Sequence, residues 1–486
     1  MATADTVPYW LTRFCFQRLL GVIYLIAFLV TLHQFKALIG EQGLVPVRLF
    51  LGRTKFWDAP SLFWMGHSDR FMTVIAWAGV ILSLAAVTGL SDSFGMFVSV
   101  TIWFLLWLIY LSFVNVGQVF YSFGWEILLL EAGFLTIFLG SSDTSPPQAI
   151  VWLLRWLLFR VMFGAGLIKL RGDSCWRDLT CMFYHYETQP LPNPLSWYFH
   201  RLPPLVHKAS VLFTHFVELV VPWGFYGPRF ISYSAGILTI LFHFTLILSG
   251  NLSWLNYLTL TLCIPCFDDA FLSRFIPLSP LEIAPFSIVR QGVVMAVTIL
   301  VCVLSIRPIM NMISPYQIMN TSFDALHLVN TYGAFGSITR ERMEIILEGT
   351  NDESLTTDTQ WKEYEFKAKP GRVGRMPPIV APYHYRLDWL MWFAAMSDYR
   401  FYPWILNLAA KLLRGDQQAL GLLKANPFLE SPPRHIRAEL YHYQFTTPME
   451  KKKTGQWWKR TRASQYLPPL SLDNPHFQGI LTEQGW

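Results

Sequence analysis

The sequence predicts an α-helical polytopic membrane bundle of about eight to nine transmembrane helices, followed by a soluble, β-rich α+β C-terminal domain. Three observations predict it. Charged residues make up only 14% of the 486 positions, against about 25% in soluble domains. Mean hydropathy is +0.35. The charges are sparse before about Arg307 and dense after about Arg340, which separates a helical membrane domain, 1–310, from a soluble domain, 320–486.

A helix needs about 20 apolar residues to cross the roughly 30 Å hydrocarbon layer. Nine stretches are read as spans: 15–35, 71–90, 94–120, 123–140, 149–170, 205–226, 230–250, 252–267 and 288–306. The fourth and eighth are short. The first follows Arg13 and Arg18 and imitates a signal peptide. No small-x-small cleavage site follows it, and it reads as an uncleaved span. An odd number of spans puts the chain ends on opposite sides. Arg13 and Arg18 favour a cytoplasmic N-terminus and an extracytoplasmic C-terminal domain. The next loop is also basic, with Lys36, Arg48, Arg53, Lys55 and Arg70, so the charge rule is not clean.

In the soluble part, MEIILEG and WKEYEFKAKPG read as two strands joined by a polar turn. Residues 386–396 (RLDWLMWFAAM) have apolar positions at helical spacing, and 404–414 is a second helix ended by Gly415. RAELYHYQFT, 437–446, alternates like a strand. From about 450 the chain is basic, then proline-rich, and reads as a loosely ordered tail.

The densest polar stretch near the membrane is 152–194, WLLRWLLFRVMFGAGLIKLRGDSCWRDLTCMFYHYETQPLPNP. An ionisable residue at membrane depth costs a few kcal/mol or more and faces protein or water. Glu126 and Glu131 in the fourth span face Arg155 and Arg160 in the fifth as pairing partners between adjacent helices. His215 and Glu218, three apart on the sixth span, extend the same cluster. This polar cluster reads either as structural pairing or as a functional polar site within the bundle. Lys169 reads as a lysine reaching to the interface, or as a desolvated base. Gly164 and Gly166 permit close helix contact. Cys175 and Cys181, six apart, form a disulfide if their loop lies on an oxidising side. Cys263 and Cys266 match CxxC without the βαβ context of a redox motif and read as core thiols. Asn320-Thr-Ser322 is a possible glycosylation site; Asn251-Leu-Ser253 lies too near the membrane for use.

Several classes are excluded. There is no basic stripe with interleaved aromatics, so nucleic acid is not a partner. GxSxG, P-loop, HExxH and dinucleotide-binding signatures are absent. No third ligand accompanies His215 and Glu218, and no metal or cofactor is expected.

The residues resemble the lipase maturation factors. The strings that carry the resemblance include NVGQVFYSFGWEILLLEAGFL (115–135), RWLLFRVMFGAGLIKL (155–170), TCMFYHYETQPLPNPLSWY (180–198), NTYGAFGSITRERMEIILEGT (330–350), PYHYRLDWLMWFAA (382–395) and GQWWKR (455–460). His185, Tyr186, Glu187, Thr188, Gln189 and Pro190 form the family's hallmark loop. The resemblance implies a non-enzymatic folding factor of the endoplasmic reticulum membrane, which assists assembly of secreted dimeric lipases through a lumenal C-terminal domain. In a bacterium the same topology would be an inner-membrane protein with a periplasmic domain. The partners it implies are client lipases or other secreted proteins, together with the lipid bilayer. Trp389, Trp392, Trp457 and Trp458 are candidate client contacts; for Trp389 and Trp392 the alternative is ordinary core packing, whereas the Trp457–Trp458 pair, in a basic, polar stretch, reads as exposed. The helical part is also distantly similar to the membrane domain of vitamin K-dependent carboxylases. That alternative implies an intramembrane enzyme acting on a lipid, quinone or polypeptide, with Lys169 or His185 as the base.

Overall fold

The structure, a computed structural model, describes residues 9–278, 283 and 287–486. The first eight residues of the expected 1–310 helical domain lie outside this set. The helical body is built from α1 (Trp10–Leu38), α2 (Asp69–Thr88), α3 (Met96–Val116), α4 (Gly124–Thr136) and α5 (Gln148–Arg171). It continues with α6 (Pro204–His215), α7 (Arg229–Ser249), α8 (Leu255–Cys263) and α9 (Ile288–Leu304). Pro222 supplies no N–H to the helical ladder, and beyond α6 the chain passes through a π turn, Phe216–Val220, and a 3-10 turn, Val221–Tyr226.

Among the described residues, seven helices are long and apolar enough to cross a membrane. The nine expected spans differ at the fourth and eighth: α4 has 13 residues and α8 has 9. At 1.5 Å per residue these reach only about 20 and 14 Å. Twelve of the 13 residues of α4 are buried. Short helices flanked by irregular backbone are tolerated at membrane depth when protein surrounds them.

Contacts at the two ends of the body define the path. At one end the N–H groups of Trp10 and Leu11 donate to the Asp269 carboxylate at 2.9 and 2.8 Å. Arg18 pairs with Asp92 at 2.8 Å, and Gln17 donates to the Gly140 carbonyl at 3.1 Å. At the other end Gln118 donates to the Val45 carbonyl at 2.9 Å, and Asn115 to the Pro60 and Ala325 carbonyls. Followed through these contacts, the chain passes an odd number of times between the ends. Trp10 therefore lies at one end and the C-terminal domain at the other.

The C-terminal domain is organised on a four-stranded antiparallel sheet. Its strands are β1 (Arg342–Thr350), β2 (Lys362–Glu363), β3 (His435–Phe445) and β4 (Trp458–Leu470), in the order β2-β1-β3-β4. Ile345 lies opposite Leu440 and Leu347 opposite Ala438. Helices α10 (Arg386–Ala394) and α11 (Trp404–Leu413) pack on the sheet. Two readings of the sequence change here. The strand expected over 361–371 is reduced to two-residue pieces, Lys362–Glu363 and Glu365–Phe366. The stretch from about 450, expected to be loosely ordered, forms a capped helix Pro448–Thr454, then β4, then α12 (Pro475–Gln484). Trp458, Tyr466 and Leu467 of β4 and Phe477 and Leu481 of α12 are buried, and this apolar set fixes the segment.

One apolar core runs without a break from the bundle into the C-terminal domain. Trp389 of α10 packs against Trp125 of α4 with ring centroids 4.8 Å apart, and Trp404 of α11 against Phe120 at 5.6 Å.

Candidate functional site

The residues that join the helical body to the C-terminal domain include a set of polar groups, most of them buried. It begins inside the bundle. Arg160 of α5 pairs with Glu131 of α4. Glu131 also accepts from the Asn330 backbone and side chain, both at 3.0 Å, and from the Tyr332 hydroxyl at 2.8 Å. The Glu131–Arg160 pair is thereby tied to the segment entering the C-terminal domain.

Glu126 has a different partner from the one expected. Its carboxylate pairs with Arg386 of α10 at 2.6 Å and accepts from the Tyr110 hydroxyl. The Arg386 guanidinium lies 3.6 Å from the centroid of the Tyr121 ring. Arg155 makes no ion pair among the described residues. It donates to the Pro265 and Phe225 carbonyls at 2.9 and 3.0 Å and to the Tyr9 hydroxyl at 3.1 Å. The helix turn separating Glu126 from Glu131 sends the first toward the C-terminal domain and the second into the bundle.

His215 and Glu218 do not extend the Glu131 cluster. The π turn directs Glu218 to Lys169, whose ammonium contacts both carboxylate oxygens at 2.6 and 2.7 Å. His215 faces the Trp176 carbonyl at 3.1 Å. Close helix contact sets this geometry. A Cβ on Gly166 would meet Leu219 at 2.7 Å, and one on Gly164 the Tyr332 carbonyl at 2.5 Å.

Beyond α5, Asp173 caps Cys175 at 3.0 Å and forms a two-toothed pair with Arg340 at 2.7 and 2.9 Å. That hydrogen-bonded guanidinium pulls the Asp173 carboxyl down to about 2. Cys175 and Cys181 are joined by a disulfide with their Cα atoms 4.8 Å apart. The short helix Met182–Thr188 follows. His185 is buried in it, edge-on to Phe335 at 5.0 Å. Burial, reinforced by Lys169, pushes its imidazole down to about 4. Tyr186 packs between Phe199 and His207. Glu187 accepts from the Phe445 backbone N–H at 2.6 Å, and burial raises its carboxyl. The Thr188 carbonyl accepts from the Trp392 indole at 3.0 Å, and the Gln189 amide donates to the Ser249 carbonyl at 2.8 Å.

The sequence reading missed the centre of the joint. Arg342, the first residue of β1, is fully buried. Its guanidinium donates to the carbonyls of Glu187, Gln189 and Pro190 and to the Glu344 carboxylate. Lys369 pairs with the other Glu344 oxygen at 2.7 Å. Opposite charges two residues apart on one face of an apolar strand were the available signal. His384 was also missed. It is boxed by Phe123, Trp125, Trp254 and Trp389 at 4.7–6.0 Å, edge to face, and neither ring nitrogen has a hydrogen-bond partner.

Among the candidate client contacts, Trp389 follows the core-packing reading, and the Trp457–Trp458 pair is not exposed as expected. Trp389 and Trp458 are buried. Trp458 stacks on Phe445 at 4.1 Å. Trp457 is half-buried under the Lys451 ammonium, 3.0 Å from its ring centroid. Trp392 is half-buried and hydrogen-bonded to Thr188. Alternation along β4 sends Trp458 inward, where it covers Arg342. Asn320 is exposed, with a left-handed backbone (φ 51°). Asn251 is buried and its amide is used on Pro378, Val380 and Ala381. No group of three or more His, Cys, Asp or Glu side chains converges for a metal among the described residues.

Residues 11–274 match the family model for the lipase maturation factor transmembrane domain, and residues 328–468 the model for the lipase maturation factor C-terminal domain. Lipase maturation factor 1 of Mus musculus is 46% identical over 512 aligned residues, covering 97% of this chain and 89% of its own. This chain belongs to the lipase maturation factor family. Lipase maturation factor 1 of Homo sapiens is 44% identical over 526 residues, covering 100% of this chain and 92% of its own. Lipase maturation factor 2 of Xenopus laevis is 30% identical over 616 residues, covering 98% and 84%. No solved structure matches.

Membership in the lipase maturation factors gives the joint its context. These relatives are named as maturation factors, and their names state no catalysed reaction. The geometry agrees with that class. Lys169 is engaged by both oxygens of Glu218, and His185 faces an aromatic ring, so the pair is not arranged as a base beside an open site. The hallmark loop of this lipase maturation factor is a hydrogen-bonded seat for the C-terminal domain. Its carbonyls are read by Arg342 and its Glu187 by Phe445.

Proposed function

We propose that this chain is a membrane-anchored maturation factor that assists folding and assembly of secreted dimeric lipases, with its C-terminal domain in the lumen of the endoplasmic reticulum. Residues 1–310 act as the anchor and 320–486 as the part that meets the client. The observation that carries the orientation is the Cys175–Cys181 disulfide. It sits at the end of the body that bears the C-terminal domain, since Trp176 donates to the Phe335 carbonyl at 2.8 Å. Disulfides persist on the oxidising side of a membrane. The odd number of passes supports a cytoplasmic N-terminus opposite it. The lipase client is supported by the family's name and by nearly full-length similarity to its members.

The rigid joint explains how an anchor helps. A client-binding domain fixed to the bundle by buried ion pairs holds the client beside the membrane at constant height and orientation. The test is complementation. Cells lacking their own lipase maturation factor would be supplied with this chain and a dimeric secreted lipase. Restored secretion of active, dimeric lipase is the expected result. Lipase that stays aggregated while this chain is present at normal abundance in the same membrane would overturn the proposal.

A further inference from the structure

The bundle-side edge of the C-terminal domain carries a loop that the maturation reading does not use. Residues 376–385, MPPIVAPYHY, cross above α8 between the ends of α1 and α7. Hydrogen bonds set their height. Asn251, just past α7, accepts from the N–H groups of Val380 and Ala381 at 2.9 and 3.0 Å and donates to the Pro378 carbonyl at 2.9 Å. The Tyr257 hydroxyl, from the first turn of α8, donates to the Ala381 carbonyl at 3.4 Å. On the other flank the Tyr383 hydroxyl meets His33 at 3.2 Å, and Gln34 donates to the His384 carbonyl at 2.7 Å. His33 and Gln34 precede the last turn of α1. The loop is therefore level with the closing turns of two spanning helices, where hydrocarbon gives way to headgroups.

Its outward side chains are apolar. Ile379 is 74% exposed and Met376 51%. Leu241, Phe244 and Leu248 of α7, the helix whose end holds the loop through Asn251, are exposed too. Immediately before the loop, Arg372, Arg375 and Lys424 line a cavity of about 470 Å³ with Glu365 as its one carboxylate. Arg375 pairs with Glu365 at 2.9 Å and donates to the Phe366 carbonyl at 2.6 Å, and exposed Arg372 shares the same carboxylate at 3.5 Å, so with exposed Lys424 three cations stand against one carboxylate. The cavity is connected to the loop, because Lys367, whose carbonyl Arg375 also holds, lies 5.9 Å from the Tyr385 ring centroid.

We propose that this edge is a phospholipid-binding site. Met376 and Ile379 enter the headgroup boundary, and the cavity of Arg372, Arg375 and Lys424 takes the phosphate of an anionic phospholipid in the same leaflet. Apolar insertion and positive charge act together in such interfacial contacts. The site clamps the edge of the C-terminal domain to the bilayer at the end of α7, where Asn251 also donates to the carbonyl of Pro192, two residues past the hallmark loop.

The test uses the full chain in nanodiscs of phosphatidylcholine, with or without phosphatidylserine. A bimane probe is attached at Ile379→Cys in a Cys15→Ser/Cys302→Ser background, and at Leu355→Cys in the exposed polar turn as the reference. Nitroxide-labelled lipid is the quencher. Quenching several-fold stronger at position 379 is expected, and equal quenching at the two positions overturns the insertion. Native mass spectrometry then counts retained phosphatidylserine. Arg372→Glu/Lys424→Glu lowers retention at least about fivefold, the effect of losing roughly one charge's attraction. The control Lys452→Glu/Lys453→Glu leaves it unchanged. Equal retention in both variants overturns the headgroup site. So does full displacement of the lipid by inorganic phosphate, which would make the cavity a site for the free anion.

Discussion

Replacing Arg342 tests whether the joint is held as described. Arg342→Met removes a buried guanidinium that donates to the Glu187 carbonyl at 3.0 Å, the Pro190 carbonyl at 2.9 Å and Glu344 at 2.6 and 2.9 Å, besides the Gln189 carbonyl. Breaking a buried pair by deleting one partner costs about 3–5 kcal/mol, because the other charge stays buried. Here Lys369 remains on Glu344 at 2.7 Å, which keeps the cost near the lower figure. Glu344→Gln leaves two buried cations side by side and costs more than Arg342→Met. Arg342→Lys keeps the charge but cannot reach three carbonyls and a carboxylate as a fork does, and loses about 2 kcal/mol. The assay is urea unfolding of the full chain in mild detergent, followed by tryptophan fluorescence, with glutamyl-endopeptidase cleavage after Glu187 in the 186–193 loop as a local readout. The expected order of stability is parent, Arg342→Lys, Arg342→Met, Glu344→Gln. An Arg342→Met protein within about 1 kcal/mol of the parent, with the loop still protected, would refute the joint.

Four further outcomes follow from the same geometry. His185 is held neutral by burial, with its imidazole at about 4 instead of 6.5, so the folded state binds fewer protons than the unfolded one. Stability therefore declines as pH falls from about 6.5 to about 4, by roughly 3 kcal/mol at most, and His185→Phe flattens that decline in a pH series of unfolding midpoints. Asp173 acts in the same sense at lower pH: its carboxyl is lowered to about 2, so its contribution is present above the ordinary value of 3.8 and is lost on acidification through about 2. Arg340 is partly exposed, so Arg340→Met costs about 1 kcal/mol or less at neutral pH. Cys175→Ser/Cys181→Ser opens a short loop and loses about 2 kcal/mol, while maleimide labelling of these two thiols in the parent requires prior reduction. Trp458→Ala costs about 3–5 kcal/mol, whereas exposed Trp57→Ala is near neutral, and a stable Trp458→Ala protein with impaired lipase maturation would restore Trp458 as a client contact.

Much of the bundle was legible because burial in lipid imposes a length rule on local sequence. The two deviations, α4 and α8, are helices that protein largely buries, so the lipid length rule acts weakly on them. Charge pairing was legible only where partners lie on consecutive helices. Glu131 and Arg160 are such a pair, 29 residues apart. Glu126 and Arg386 are 260 residues apart, and no periodicity in either helix points to the other. The Lys169–Glu218 pair lies on consecutive spans and was hidden for a different reason, the π turn that resets the helix face at Glu218. β4 was missed because its basic outward residues, Lys459 and Arg462, masked a strand whose inward positions are spaced by bulges.

The hallmark loop shows why a distinctive string need not be a catalytic one. Its prolines leave carbonyls without helical partners, and Arg342 converts those carbonyls into a docking surface. Glu187 faces a backbone N–H of β3, which any residue at position 445 other than proline would present. Gln189 faces the Ser249 carbonyl at the end of α7. Each side chain is therefore fixed by main-chain geometry on three separate elements, and a substitution in the loop would loosen the bundle, the sheet and α10 together. That dependence is sufficient to account for the polar density of the stretch without assigning it a reaction. It also predicts a discriminating pair. Lys169→Met alone strands Glu218 and costs about 3–5 kcal/mol, whereas Lys169→Met/Glu218→Met restores most of that stability, since an apolar pair of similar volume replaces the ions. Lipase maturation recovered in the double variant fits a structural pair. Loss of maturation in a stable double variant would show that the charges act on something beyond each other.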